Sequence, residues 1–340
     1  MLRSPLDPDS ARMAKLVRSY PARSGITRDL ARNIVRLHYG DIPIGVIRTA
    51  KTAALEAAGN MVSGALQGSS RKVLRYVRSL GGAPDATCLY YGYRTNIHNA
   101  ALVNGTFCNG SRESVVIPTV LAAAEKELAN GHEVLTAIVA GWEVTLRLAA
   151  AAAPTVPLER PLNPISTFGP FGAAAAAAKI QRFSESEMEN AITCCPAQAA
   201  GTLQTTLTGG ESARAVSGFA ASYGVRAATM AKQGVSGARD MLEGRRGFFM
   251  CIAGLNGDGT PRFDIDKVNG GFGEKWCIGD TYNGTPDEEV RARFGRDADL
   301  AGIDQTKREK VINIVSNLET QTDVNELISS LVLEGVGSFE

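Results

Sequence analysis

Residues 115–151, VVIPTVLAAAEKELANGHEVLTAIVAGWEVTLRLAAA, are the stretch that decides the fold class. They predict two consecutive helices, over 115–129 and 132–151, with Gly131 between them. Alanine and leucine favour helix, whereas a glycine interrupts it. Helices this rich in small side chains can approach one another closely. The stretch therefore predicts a core made by packing helix on helix.

Helical spacing continues on both sides of this stretch. Apolar residues recur close to a 3.6-residue period at Ile26, Leu30, Ile34 and Leu37. The composition predicts further helices over 44–66, 98–107, 186–203, 212–233, 286–296 and 304–334. A loop or short strand is predicted over 82–97, and a loop over 254–273. Because strands do not alternate with helices, we predict an all-α domain.

Two proline-bearing stretches are predicted to interrupt the helices. Residues 1–24 are a polar N-terminal leader in which Pro5, Pro8 and Pro21 break any helix. Residues 154–172 contain five prolines, so the next helix is predicted to start only with FGAAAAAAKIQRF, residues 171–183.

The overall composition excludes several classes of protein. The 340 residues include 36 basic and 35 acidic ones, which gives a net charge of +1 and argues against binding nucleic acid. No apolar run approaches the ~20 residues that span a bilayer, so no membrane segment is expected. The polar start lacks the apolar core of a signal peptide, and we expect a cytoplasmic protein.

The cysteine and histidine residues predict neither a disulfide scaffold nor a metal centre. The six cysteines form no CxxC pair, and Cys194 and Cys195 are the only close pair, so reduced thiols are expected. His38, His98 and His132 are far apart in the sequence and match no metal-binding spacing. No cofactor is predicted.

Two polar loops precede predicted helices and are candidate ligand sites. Asn163, Ser166 and Thr167 either cap the alanine-rich helix or form a pocket wall where its N-terminus faces an anion. Residues 205–214, TTLTGGESAR, place Arg214 in the first helical turn, where a cation opposes the helix dipole. That mismatch favours binding of a carboxylate, although an ion pair with Glu211 explains it equally well.

A third polar loop spans residues 104–114, NGTFCNGSRES. Cys108 in this loop is either a nucleophile or an ordinary buried thiol, and nothing adjacent in sequence lowers its pKa. His98 lies on the preceding predicted helix and faces solvent, core or pocket.

Several longer segments resemble one known family in the right order. They are ALVNGTFCNG (101–110), the helix pair from residue 115, FGPFGAAAAAAKI (168–180), AITCCPAQAAGTL (191–203) and the segment from Ser217 to Phe249. Together they resemble the MmgE/PrpD family, whose members include 2-methylcitrate dehydratase, cis-aconitate decarboxylase and iminodisuccinate epimerase. The resemblance runs over residues 25–282 and resumes near 286–333.

The resemblance implies a large helical domain and a smaller α+β lid domain inserted before the last helices. Residues 270–282 resemble the chain entering that lid and 283–295 the chain after leaving it. We therefore predict one helical domain, made of residues 25–282 and 283–340, without the inserted lid. A deletion in the natural gene, an engineered deletion or a gene-model error would each give this sequence. The family's members are typically homodimers, which implies a homodimer here.

The family's catalytic residues are substituted at every position that aligns. Ser111 stands where the resemblance implies a histidine, Asn163 where it implies a second, and Ala213 where it implies a lysine, while the neighbouring Arg214 is kept. The lysine and tyrosine of the family's lid have no counterpart. Eliminating water or CO2 from a tricarboxylate needs a base, an acid and cations that hold the carboxylates. We therefore expect no useful turnover of 2-methylcitrate or cis-aconitate.

Two functions remain open. The first is a repurposed, cofactor-independent isomerase, lyase or cyclase acting on a larger, less acidic biosynthetic metabolite. Its candidate catalytic residues are Arg214, as anion anchor, with Asn163, His98 and Cys108. Its candidate substrate-binding residues are Ser111, Arg112, Ser166, Thr167, Thr205 and Ser217. The second is an inactive family member that binds or stabilises an active relative.

Overall fold

The computed structural model of the protein describes residues 8–109, 114–278 and 287–333. In chain order its first elements are α1 (Pro8–Ser19), α2 (Ile26–Arg36), α3 (Ile44–Ala65), α4 (Gly68–Leu80), β1 (Ala86–Cys88), β2 (Tyr93–Thr95), α5 (Ile97–Phe107), α6 (Val116–Glu127) and α7 (Gly131–Ala152). They are followed by α8 (Pro164–Ile180), α9 (Glu185–Cys194), α10 (Gln204–Thr208), α11 (Ser212–Lys232), α12 (Phe248–Ile252), α13 (Asp287–Leu300), α14 (Gln305–Ser316) and α15 (Asn325–Ser330). The all-α prediction is confirmed.

The centre of the fold is a stack of helices with small side chains at their contacts. Helix α11 packs on both α8 and α5, and α7 packs on the other side of α8. A Cβ at Gly218 would collide with the carbonyl oxygen of Leu102 and the hydroxyl of Thr106, both on α5. A Cβ at Gly224 would collide with the backbone of Pro170 on α8. The two glycines therefore allow the backbones of neighbouring helices to touch.

The directions of these helices bring particular ends together. Gly169 of α8 lies against Ala220 of α11, and Pro170 lies against Gly224, so the two helices run the same way. Their N-terminal ends are therefore neighbours. Helix α5 runs the opposite way, because Gly105 near its C-terminal end lies against Gly218 near the start of α11. The N-terminal ends of α8 and α11 and the C-terminal end of α5 thus lie in one region of the molecule.

Two predictions about proline are wrong. Helix α1 begins at Pro8, inside the segment predicted to be non-helical, and α8 begins at Pro164 rather than after the prolines. Proline is well tolerated in a first helical turn, because that N–H has no helical partner in any case. Pro170 lies inside α8 and is fully buried among its neighbours, so tertiary packing outweighs its cost there.

Helix α7 corrects the expectation that no apolar run reaches the length of a membrane span. In the part of the chain that the structure describes, it alone is long and apolar enough to cross a membrane by length and composition. However, 78% of its most apolar window is buried inside the protein. Such burial is that of a core helix.

The C-terminal elements pack on the first half of the chain. Helix α13 packs on α3, and α14 contacts α15. The backbone N–H of Tyr90, next to β1, donates to Leu331, and its carbonyl accepts from Leu333, at 3.0 and 2.9 Å. The end of the described chain is thereby fixed to the hairpin region.

A buried ion pair on α7 holds the chain just before the predicted lid junction. The guanidinium of Arg147 donates to Glu143 at 2.8 Å and to the carbonyl oxygens of Gly270 and Lys275 at 2.9 and 2.7 Å. Glu143 also accepts the N–H of Ile278 at 3.0 Å. Burial raises the pKa of Glu143, while this N–H and Arg147 oppose the rise.

The chain is held again directly after the junction. Thr52 of α3 donates its hydroxyl hydrogen to the carboxylate of Asp287 at 3.0 Å. The predicted lid junction itself, near residues 282–286, lies outside the described residues.

Candidate functional site

A surface cavity of about 230 Å³, here called the α8–α11 groove, lies beside the paired N-terminal ends of these two helices. Its walls come from the start of α8, the segment before α10, and one face of α11. They are formed by Ser166, Gln198, Ala200, Gly201, Thr202, Thr205, Ser212, Val216, Phe219, Ala220 and Tyr223. No acidic, basic or histidine side chain is among them, so the groove suits an uncharged group.

Local sequence explains how the floor of the groove is positioned. The side-chain oxygen of Asn163 accepts the N–H groups of Ile165 and Ser166 at 2.9 and 3.4 Å, which caps the start of α8. The N–H of Asn163 in turn donates to the carbonyl oxygen of Gly201 at 2.9 Å. These bonds hold residues 161–163 alongside 201–203, so that Ser166 faces Gly201 across the groove.

Two threonine hydroxyls at this site are buried and make no hydrogen bond. They belong to Thr167, whose side chain is fully buried one residue after Ser166, and to Thr205 on α10. A buried hydroxyl without a partner costs about 1–3 kcal/mol and is rare in folded proteins. In addition, the amide nitrogen of the Asn163 side chain donates to no described acceptor. The region therefore contains polar groups that the fold leaves unused.

The outer wall of the groove is aromatic. The rings of Phe219 and Tyr223, one turn apart on α11, lie nearly parallel, with centroids 6.1 Å apart and an interplanar angle of 17°. Phe219 is 41% exposed, which is high for a phenylalanine. The guanidinium of Arg226 lies 5.9 Å from the centroid of the Tyr223 ring. A flat apolar group would find a large contact surface here.

Arg214 lies in the first turn of α11, two residues after Ser212, and is not one of the residues that line the groove. No carboxylate among the described residues forms an ion pair with it. Glu211 pairs with Lys72 instead, at 2.7 Å, so an Arg214–Glu211 ion pair is not formed. Arg214, whose positive charge opposes the dipole of α11, therefore has no counter-ion among the described residues.

Ser217 belongs to a buried hydrogen-bonded chain behind Arg214. Its hydroxyl accepts from Ser114 at 2.8 Å and donates to the side-chain oxygen of Asn109 at 3.0 Å. The chain links the start of α11 to both sides of residues 110–113. None of its three side chains titrates near neutral pH, so this chain by itself supplies no general base.

Cys108 and His98 are not among the residues that line the groove. Cys108 is fully buried at the C-terminal end of α5, with its sulfur 3.8 Å from the carbonyl oxygen of Ala57. His98 lies in the first turn of α5, at the opposite end of this helix, and burial together with the charge of Arg226 lowers its pKa. The structure thus separates His98 from the other candidates by the length of α5.

The predicted set is therefore divided by the fold. Asn163, Ser166 and Thr167 lie at the start of α8, and Thr205 lies on α10 beside them. The start of α11 carries Arg214 and Ser217. Ser111 and Arg112 lie outside the described residues.

Nine of the eleven groove residues were not among the predicted site residues, including Gln198, Ser212, Phe219 and Tyr223. Three of these are spaced by seven and four residues along α11, and this helical spacing was visible in the sequence.

None of the six cysteines, all of which the structure describes, is in a disulfide. Burial raises the pKa of Cys195 well above the ordinary value. In the described parts of the chain, no three His, Cys, Asp or Glu side chains are grouped closely enough to hold a metal ion.

Comparisons with known proteins agree with this architecture. The family model "MmgE/PrpD N-terminal domain" matches residues 28–258. The cis-aconitate decarboxylase-like protein oryM of Aspergillus oryzae is 26% identical over 272 residues, which cover 74% of this chain and 56% of the relative. The cis-aconitate decarboxylase of Aspergillus terreus is 25% identical over 272 residues, covering 75% of this chain and 55% of the relative. The chain thus spans about half the length of these relatives, and it belongs to the MmgE/PrpD family.

Proposed function

We propose that the chain is a cofactor-independent lyase, isomerase or cyclase whose substrate is larger and less acidic than cis-aconitate. The observation that carries this proposal is the buried, unpartnered hydroxyl of Thr205 in the wall of a groove without charged side chains, with a second unpartnered hydroxyl at Thr167, next in sequence to Ser166 of that wall. A ligand that hydrogen-bonds to such groups would recover the free energy that their burial costs.

Each candidate side chain has a distinct role in the proposed site. Arg214 would hold a single carboxylate or enolate oxygen, because its guanidinium has no described counter-ion. The amide of Asn163 would donate to a carbonyl oxygen. The parallel rings of Phe219 and Tyr223 would pack on the apolar body of the substrate.

The fold gives no described groove residue that is an adequate base at neutral pH. The Ser, Thr and Gln side chains of the groove do not titrate there, and a guanidinium group offers no acceptor for a proton. The proposed reaction therefore relies on positioning and on a proton carried by substrate or solvent. This is why dehydration of 2-methylcitrate or decarboxylation of cis-aconitate is not the expected activity.

A comparison of products tests the proposal. The purified protein is incubated with a metabolite extract from its own source, and changed components are identified by mass spectrometry. We expect at least one component to disappear with the wild type and to persist with Arg214→Ala. Arg48→Ala, which removes an exposed arginine on α3, is the matched control and should behave as the wild type. If no component changes with the wild type, the enzyme proposal is wrong.

The second candidate is a non-catalytic subunit, and the absence of a neutral-pH base from the described groove favours it. Such a subunit should form a stable heterodimer when co-expressed with a full-length family member and should raise that member's activity. Size-exclusion chromatography with light scattering measures the assembly. The same measurement on the chain alone tests the predicted homodimer.

A further inference from the structure

A second cavity, here called the Lys179 cavity, lies at the opposite end of α8 from the groove. Its volume is about 450 Å³. The buried side chains of Leu37, Phe183 and Met188 form an apolar floor, and the exposed side chains of His38 and Arg182 belong to its rim. Neither the family resemblance nor the proposed function uses this cavity.

Lys179, in the last turn of α8, also lines the cavity. Its Nζ donates to the carbonyl oxygens of Ile34 and Val35, at 2.9 and 2.7 Å, near the C-terminal end of α2. No described carboxylate forms an ion pair with it. Burial lowers the pKa of Lys179 to about 8, and the charge of Asp41 opposes this shift only partly.

Either protonation state of Lys179 can make its two hydrogen bonds. A neutral amine has two N–H groups and one lone pair, whereas an ammonium group has three N–H groups and no lone pair. The carbonyl oxygens of Ile34 and Val35 accept two N–H groups. When the amine is neutral, it therefore keeps both hydrogen bonds and a lone pair.

The charged and aromatic groups around this amine contact one another rather than the amine. Arg182 donates to Glu133 at 2.8 Å, and the imidazole of His132 stacks on the ring of Tyr39 with centroids 3.9 Å apart. The other charged or titratable groups nearby are His38, Asp41 and Glu319. Arg182 is already paired, so the floor of Leu37, Phe183 and Met188 is the surface that would contact the apolar part of a ligand, while most of the other lining side chains are polar.

We propose that Lys179 is a nucleophilic amine that forms an imine with a small, largely apolar aldehyde or ketone bound in this cavity. The Nζ lone pair attacks the carbonyl carbon, and the carbonyl oxygen takes up a proton to give a carbinolamine. Loss of this hydroxyl as water, together with the second nitrogen-bound proton, leaves the C=N bond. No oxidant or reductant is needed.

Selective trapping tests the proposal. The folded protein is treated at pH 7.5 with limiting benzaldehyde and cyanoborohydride, which reduces the imine to a stable secondary amine. Labelled lysines are then counted by peptide mass spectrometry. At this pH about a quarter of Lys179 amines are neutral, against about one in a thousand for an ordinary lysine. The larger neutral fraction speeds labelling of Lys179, and its lower basicity partly offsets this gain because weaker bases are also weaker nucleophiles. We therefore expect at least about tenfold faster labelling of Lys179 than of Lys232.

Lys232 is the matched internal control. It lies at the end of α11 with its ammonium 4.9 Å from the ring of Phe183, and it pairs with Glu187 at 3.2 Å. It thus contacts the same cavity floor residue but has a carboxylate partner. Equal or slower labelling of Lys179 would overturn the proposal.

Two further arms separate reactivity from structure. Lys179→Arg keeps donors for both carbonyl oxygens but has no nucleophilic amine, so it should stay folded and lose the benzaldehyde adduct. Acetaldehyde lacks the apolar ring, so with it the preference for Lys179 over Lys232 should fall to the value that basicity alone gives, whereas binding of benzaldehyde in the cavity should raise the preference above that value. An unchanged preference would disprove apolar recognition by the cavity.

Discussion

The two ends of α8 differ in how their polar groups are used. Its 17 residues make a helix of about 25 Å, so the α8–α11 groove and the Lys179 cavity are distant from each other. At the N-terminal end, the hydroxyls of Thr167 and Thr205 are buried without partners. At the C-terminal end, the amine of Lys179 is held by two carbonyl oxygens. One site therefore has hydroxyls without partners, and the other has an amine that two backbone carbonyl oxygens hold in place.

Both ends of α8 are held in place by the packing of α8, α11 and α5. Of the variants considered, Gly218→Ala should disrupt this packing most strongly. The new Cβ would collide with the backbone of Leu102 and with Thr106, so we expect a loss of about 3 kcal/mol in the free energy of unfolding. Urea denaturation measures this loss. Gly45→Ala, in the first turn of α3, places its Cβ in open space and should be neutral or slightly stabilising. Similar effects of the two variants would contradict close packing at Gly218.

The pH dependence of stability tests the lowered pKa of Lys179 at the C-terminal end of α8. The pKa of Lys179 is lowered from 10.5 to about 8 in the folded protein, so between these values the unfolded chain binds more protons. Stability should therefore rise with pH across this window, relative to Lys179→Gln. We expect a change of about 1.5 kcal/mol, after allowance for the partial exposure of Lys179.

The measurement is urea denaturation of both proteins at pH 7.5, 9 and 10. Below about pH 8 the difference between wild type and Lys179→Gln should be constant. Parallel stability curves from pH 8 to 10 would show that the amine titrates normally.

At the N-terminal end of α8, loss of a polar group should increase the free energy of unfolding. Thr167→Val removes a buried hydroxyl that has no partner, so the free energy of unfolding should increase by about 1 kcal/mol, while turnover of the substrate falls. Thr119→Val is the control, because that hydroxyl, equally buried, donates to the carbonyl oxygen of Val115 at 2.8 Å. It should give no gain in stability. A loss of stability in Thr167→Val would mean that this hydroxyl has a partner.

The smallest effect is expected for the surface ion pair beside the groove. Glu211→Gln removes the carboxylate that Lys72 contacts, and both side chains are more than half exposed. Such pairs contribute about 0.2–1 kcal/mol, so thermal unfolding should shift by no more than about 2 °C. Because Arg214 is not part of this pair, its role in turnover should be unchanged. Loss of turnover in Glu211→Gln would contradict that separation.

The sequence predicted the helices better than it predicted where they begin. The helices around residues 115–151 are found as expected, because their composition and packing both favour helix. Helix α8 begins earlier than predicted, and α1 lies in a segment that was predicted to have no helix, since Pro164 and Pro8 occupy first-turn positions, where proline costs little. Pro170 is helical only because the burial of α8 outweighs the local preference.

The site could be predicted only as far as local rules reach. Asn163 and Ser166 were found because polar residues before an apolar helix mark its N-terminal cap. The burial of Cys108 against Ala57 and the distance of His98 follow from how α5 packs between α3 and α11. No local pattern encodes that packing, and so the separation of these two residues from the groove emerged only in three dimensions.

The Arg147–Glu143 pair fixes the chain on one side of residues 279–286, and we expect this to make the stability of the helical domain insensitive to what replaces them. The backbone before residue 279 is fastened to α7, and Asp287 is fastened to α3, so both ends of any replacement are fixed in advance. Exchanging residues 279–286 for a folded module of another length should therefore leave the melting temperature of the body nearly unchanged.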